Sequence, residues 1–198
     1  TDSMGQVSSL SSPLAVSLDV ATNLVTNGSF ATGDFTGWTL GGNYKSSQYG
    51  QEIFITGNAT GGSANAAAMG SIGADGTLSQ TIATTPGQTY TVTFWLRNEG
   101  SGGNDFAATW NGQKLLSLTN AAQSGYTEYT YTVTATGSTS TLQFSAANGP
   151  SQWDLDNVSV TTGGTSSGAP SAPTIASFST DSGTVGDHIT NDSTLTLT

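Results

Sequence analysis

Thr89–Asn98, TYTVTFWLRN, alternates without a break: Tyr90, Val92, Phe94 and Leu96 fall on one side of an extended chain, and Thr91, Thr93, Trp95 and Arg97 on the other. A two-residue period of this kind belongs to a β-strand that buries one face. Pro86-Gly87 supplies the turn that leads into it. Outward from this strand the pattern repeats. DFAATWNG sets Phe106, Ala108 and Trp110 together and ends in Asn111-Gly112, a strong hairpin signal, after which LLSL returns. YTEYTYTVTA aligns Tyr129, Tyr131 and Val133, and STLQFSA aligns Leu142, Phe144 and Ala146. Strands with one apolar face must bury those faces against each other. The expected fold is therefore all-β, a sandwich of two antiparallel sheets.

The chain has 198 residues, enough for a substantial core. No apolar run approaches the roughly 20 residues that span a bilayer, so membrane insertion is not expected, and TDSMGQVSSLSS lacks the basic start and apolar centre of a signal peptide. Thirteen acids against three bases give a net charge of −10. A phosphate backbone is repelled by such a chain, so nucleic acid is not an expected partner. Gly, Ser, Thr and Asn dominate and cysteine is absent, which suits an exported bacterial protein, extracellular or on the cell surface.

Four segments are expected. Residues 1–22 form a lead-in with an alternating piece around Leu14 to Val20, and residues 23–162 form the sandwich, with strand and turn signals at intervals of roughly 8 to 12 residues. Residues 163–173 are a linker of small residues and prolines. Residues 174–198 hold two strand-like pieces, too few to stand alone, and read as the truncated start of a further β domain.

The closing stretch of the sandwich, Gln152–Val160 (QWDLDNVSV), poses the chemical question. On an unbroken two-residue period Asp154, Asp156, Val158 and Val160 share one face, which aims carboxylates the same way as core valines. A buried carboxylate without compensation costs several kcal/mol or takes up a proton. Either a metal, or backbone amides, or a nearby cationic group must answer it.

Three motifs in order, NLVTNGSFATGDFTGW (residues 23–38), GTLSQTIATTPGQTYTVTFWLRN (residues 76–98) and WDLDNVSV (residues 153–160), resemble the jelly-roll carbohydrate-binding modules of families 4, 9 and 22. The tail from Pro173, with DSGTVGDHITND, resembles the first strands of the immunoglobulin-like repeats of large bacterial adhesins. The first resemblance implies a glycan or polysaccharide partner and a structural calcium between the first and last strands. Asp156 would be its carboxylate ligand. Ala31 stands where the family often has glutamate, leaving Asp34 and carbonyls around Asn27 and Gly28 to complete the six to eight oxygens calcium takes.

Sugars are recognised by flat aromatic faces and planar hydrogen-bonding groups. Trp95 and Arg97, opposite the core face of their strand, are the leading candidates, although Arg97 equally suits the neutralisation of a buried carboxylate. Asn98 and Asn104 in the following loop, Tyr49 in a polar stretch, and Trp153, which could cap either the core or a groove, complete the candidate set. Trp38 and Trp110 are in phase with apolar partners and belong to the core. Catalysis is not expected. Asp154 and Asp156 lie about 7 Å apart, a separation glycosidases use, but on a strand beside core valines rather than in a cleft. The sole histidine, His188, lies in the tail, and there is no cysteine. The resulting expectation is a non-catalytic sugar-binding module of a secreted or surface protein, with a structural or adhesive spacer as the alternative.

Overall fold

A computed structural model describes residues 22–162. The alternating lead-in piece, the linker, the tail expected to be immunoglobulin-like and His188 lie outside them. Twelve strands follow in chain order: β1 (Thr39–Gly42), β2 (Lys45–Ser46), β3 (Gly50–Gln51), β4 (Ile53–Thr56), β5 (Ala66–Met69), β6 (Gly76–Ala83), β7 (Thr89–Asn98), β8 (Asp105–Trp110), β9 (Gln113–Thr119), β10 (Thr127–Thr134), β11 (Thr139–Ala147) and β12 (Trp153–Thr162). They form two five-stranded sheets, β1-β6-β11-β8-β9 and β10-β7-β12-β5-β4, and a small β2-β3 hairpin. Every pairing is antiparallel. The architecture is the two-sheet antiparallel sandwich that the alternation predicts, with the jelly roll that the resemblance implies. Among these residues no helix is long and apolar enough to cross a membrane.

The core is the sum of the alternating faces. Tyr90, Val92, Phe94 and Leu96 of β7 meet Leu142, Phe144 and Ala146 of β11 and Phe106, Ala108 and Trp110 of β8, all buried. Phe94 and Phe144, from opposite sheets, meet edge to face at 5.1 Å between centroids, a geometry that favours aromatic pairs. Trp38 is buried as well and stacks on Phe30 at 5.7 Å. Asn111 (φ 49°) and Gly112 (φ 76°) turn β8 into β9 through two successive left-handed residues, the requirement of a two-residue hairpin.

The closing strand departs from an unbroken period. Leu155 pairs with Leu96 and Asp156 with Trp95, but Ser159 pairs with Thr93. The slip is a β-bulge, marked by Asn157 at φ 48°. Ahead of the bulge Trp153 and Leu155 face the core; beyond it Val158 and Val160 do. Asp154 and Asp156 are therefore on the opposite side from the valines, across from Arg97 and Trp95. The bulge inverts the phase of the strand.

The beginning of the domain is sewn to this same strand. The Leu24 amide donates to the Val160 carbonyl at 2.8 Å and the Val158 amide to the Gly28 carbonyl at 2.9 Å. The Asn23 side chain completes the seam, accepting from the Val160 amide and donating to the Val158 carbonyl. A Cβ on Gly28 would lie 2.0 Å from the Val158 carbonyl oxygen, so only glycine permits the approach.

Candidate functional site

The outer face of the β10-β7-β12-β5-β4 sheet carries most of the chain's unusual chemistry. Residues opposite one another in antiparallel strands share a face, so Glu128, Trp95 and Asp156 form one row, and Arg97, Asp154, Ala68 and Phe54 another. Trp95 is partly exposed, Phe54 is 37% exposed, and Ala68, Asp154 and Asp156 are fully buried. Loops account for that burial: the Thr60 amide donates to Asp156, and the Tyr126 hydroxyl donates to the Asn58 carbonyl.

Arg97 organises the second row. Its guanidinium pairs with Glu99, holds Nε 3.6 Å from Asp154 Oδ2, and lies 5.9 Å from the centre of the Tyr126 ring. Asn58 donates to Glu99 Oε1 at 3.1 Å and Gln152 to Asp154 Oδ1 at 2.6 Å. Asp154 Oδ2 has no hydrogen bond, only the arginine charge. Burial pushes the Asp154 carboxyl up, against the Gln152 amide and the Arg97 charge. Burial, then the charges of Asp154 and Asp156, raise the Tyr126 phenol, which stays protonated and donates. Arg97 thus both neutralises a buried carboxylate and, at 32% side-chain exposure, keeps an edge towards solvent.

Asp156 is held differently. Its two oxygens accept from the Thr60 amide (2.9 Å) and the Asn157 amide (2.6 Å), and among the described residues no side-chain cation pairs with it. Burial raises its pKa, while those amides and the Ser63 hydroxyl pull the other way. Ser63 Oγ also lies 2.7 Å from the Ser29 carbonyl oxygen and 3.0 Å from that of Asn65. The remaining calcium candidates have other partners. Asn27 and Asp34 brace their own turn: the Asn27 amide donates to the Asp34 and Thr36 carbonyls, and exposed Asp34 accepts from Thr32 and Thr36, which lowers its pKa. The Gly28 carbonyl is taken by Val158. No hydrogen bond joins Asp156 to Asn27 or Asp34, and among the described residues no three acidic, histidine or cysteine side chains cluster for a metal.

Three sugar-contact candidates need correction. Asn98, 1% exposed, donates to the Ala121 and Ala122 carbonyls and accepts from the Gly100 amide and the Asn148 side chain. Asn104, 2% exposed, exchanges two hydrogen bonds with Ala121. Both are buried loop braces turned away from a ligand, and Asn98 has used both its donors and both its acceptor positions. Trp153 faces inward and packs on Phe106 at 5.5 Å, a consequence of the phase ahead of the bulge. Tyr49 is 56% exposed on the β2-β3 hairpin, and no hydrogen bond or ring contact among the described residues links it to Trp95 or Arg97.

Glu99, Asn58, Tyr126 and Gln152 were not among the expected residues. Glu99 continues the outward phase of Arg97 and was readable from the strand period. Asn58 and Tyr126 come from separate loops, and only tertiary structure brings them to Arg97.

Residues 23–161 match the family described as protein of unknown function (DUF642). The chain belongs to that family. A comparison with curated proteins gives this DUF642 chain no match. Solved structures are similar in fold. TmCBM61 in complex with beta-1,4-galactotriose superposes with a TM-score of 0.51 at 18% identity, over 72% of this chain and 99% of the other. The CBM22-1 xylan-binding domain of Paenibacillus barcinonensis Xyn10C gives 0.50 at 17%, over 74% and 97%. The enzymatically active domain of bacteriophage CBA120 tailspike protein 4 gives 0.52 at 16%, over 71% of this chain but 21% of the other. At these identities the likeness establishes the shared fold, a jelly-roll sandwich.

Proposed function

We propose that the DUF642 domain of this chain is a non-catalytic sugar-binding module in which a glycan lies across the outer face of the β10-β7-β12-β5-β4 sheet, stacked on Trp95. The observation that carries the reading is Trp95 itself. A large aromatic stands partly exposed in the middle of a sheet face, beside a partly exposed arginine with planar donors. Support comes from the structural neighbours whose names include a bound galactotriose or a xylan-binding function. Catalysis is disfavoured because Asp154 and Asp156, the adjacent carboxylates of this face, are both fully buried, which leaves no path for an attacking water. The acidic, cysteine-free composition fits a secreted or surface-attached bacterial setting.

Affinity electrophoresis of the wild type against a panel of neutral polysaccharides, including β-1,4-galactan and xylan, tests this. Trp95→Ala should weaken retention about tenfold or more, as loss of a central aromatic anchor does, with the melting temperature little changed. Arg97→Ala is a poorer probe, because it strands Asp154 as a buried unpaired charge. No retention on any polymer would remove the reading.

A structural calcium at Asp156 belongs to the same proposal. Asp156 has amides but no side-chain cation, and the Ser63 hydroxyl and Ser29 carbonyl gather next to it. These oxygens, rather than Asn27, Gly28 and Asp34, would hold the ion. The spacer alternative has its own support in the loops that close over Asp154 and Asp156.

A further inference from the structure

The chain has three basic residues, and Arg97 is the one on the proposed binding face. A lone arginine beside an exposed tryptophan would ordinarily suit a carboxylated sugar, because a guanidinium meets a carboxylate with two parallel hydrogen bonds. Here part of that edge is already taken. Glu99 pairs with the guanidinium, Asp154 Oδ2 lies 3.6 Å from Nε, and the Tyr126 ring covers one side. Glu99 is fixed in that role by the Asn58 amide. Trp95 is paired in register with exposed Glu128, so a charged sugar on the indole would sit beside a carboxylate. Like charges juxtaposed across an interface cost binding energy and so select against the wrong ligand.

We propose that Glu99, resting on Arg97 above Asp154, is a specificity-determining residue: it occupies the guanidinium edge a uronate would take and restricts the face to uncharged glycans. The inference rests on the sugar-binding reading and adds what that site rejects and which residue does the rejecting. Neutral sugars lose little by it, since their hydroxyls can use the carboxylate oxygens of Glu99 as acceptors as well as the arginine donors.

The test uses the full chain and two kinds of probe, the neutral panel and polygalacturonate, at low ionic strength. Wild type is expected to bind at least one neutral polymer and to bind polygalacturonate measurably more weakly. Glu99→Gln keeps an acceptor for Asn58 but frees the arginine edge, and should raise affinity for polygalacturonate about two- to fivefold, the scale of one exposed charge contact. That gain should vanish near 0.15 M salt. Should Glu99→Gln fail to fold, Glu99→Ser removes the same charge at a partly exposed position and is read the same way. Wild type that binds polygalacturonate as well as any neutral polymer, or charge-removed variants that gain nothing on it, would overturn the proposal. Silence of all forms on every polymer would instead sink the sugar-binding reading, and the inference with it.

Discussion

Asn157 shows how one residue can determine the chemistry of a face. At φ 48° it occupies a backbone region that asparagine enters readily and β-branched residues avoid. Its side-chain amide donates to the Thr60 carbonyl at 3.0 Å, while its backbone amide donates to Asp156. It therefore places the bulge and anchors the loop that covers Asp156. Asn157→Val should lower stability by about 1–3 kcal/mol through backbone strain and the lost amide contact, whereas Asn157→Gly should cost less because it removes only the contact. Urea unfolding of the two variants checks the order. If the valine variant matched the glycine variant, strain at the bulge would play no part.

At the scale of elements, a seam of hydrogen bonds ties the first segment to β12. Asn23 and the carbonyl of Gly28 join the start of the domain to Val158 and Val160. Gly28→Ala would drive a methyl group into the Val158 carbonyl, and should cost about 1–3 kcal/mol, the scale of overpacking. Loss of hydrogen-exchange protection at Leu24 and Val158, with the β7 amides unaffected, would locate the damage; uniform loss across both sheets would contradict it. The strands themselves were legible because burial alternates strictly along β7, β8 and β11, and a period of two is visible in any one of them. Trp95 and Arg97 were legible for the same reason. Asp154 and Asp156 were misplaced because a bulge breaks that period without a composition signal: nothing in Asp-Asn-Val states that Asn157 takes a left-handed conformation. Asn98 and Asn104 were misread because asparagine braces a buried loop with the same groups it offers a sugar. The ring of Asn58, Glu99 and Tyr126 depends on contacts across 41 and 68 residues, which no local pattern encodes.

For the whole molecule, half-buried Asp105 and fully buried Asp154 and Asp156 set a pH dependence whose sign can be worked out. Burial is the largest influence on Asp105, Asp154 and Asp156, and it raises all three above the ordinary aspartate value of 3.8. The native state then binds more protons than the unfolded chain over the interval above 3.8, so stability is fully present below that value and falls as pH rises through the folded pKa values. Asp34 acts in the opposite sense, its lowered pKa contributing stability that is lost in acid, but it is exposed and solvent screens its share. A net charge of −10 reinforces the loss at higher pH through self-repulsion. In chelator, the melting temperature should therefore decline between about pH 4 and pH 7. Calcium in excess at pH 7 should raise it again, because an ion bound only by the native state adds RT ln(1 + [L]/Kd). The two variants Asp105→Asn and Asp156→Asn separate the causes. Both should flatten the pH slope, and only Asp156→Asn should abolish the calcium response. A melting temperature that rises from pH 4 to pH 7 in chelator would mean that protein donors fully satisfy the buried carboxylates as ions. A wild type indifferent to calcium at pH 7 would leave Asp156 answered by the Thr60 and Asn157 amides alone.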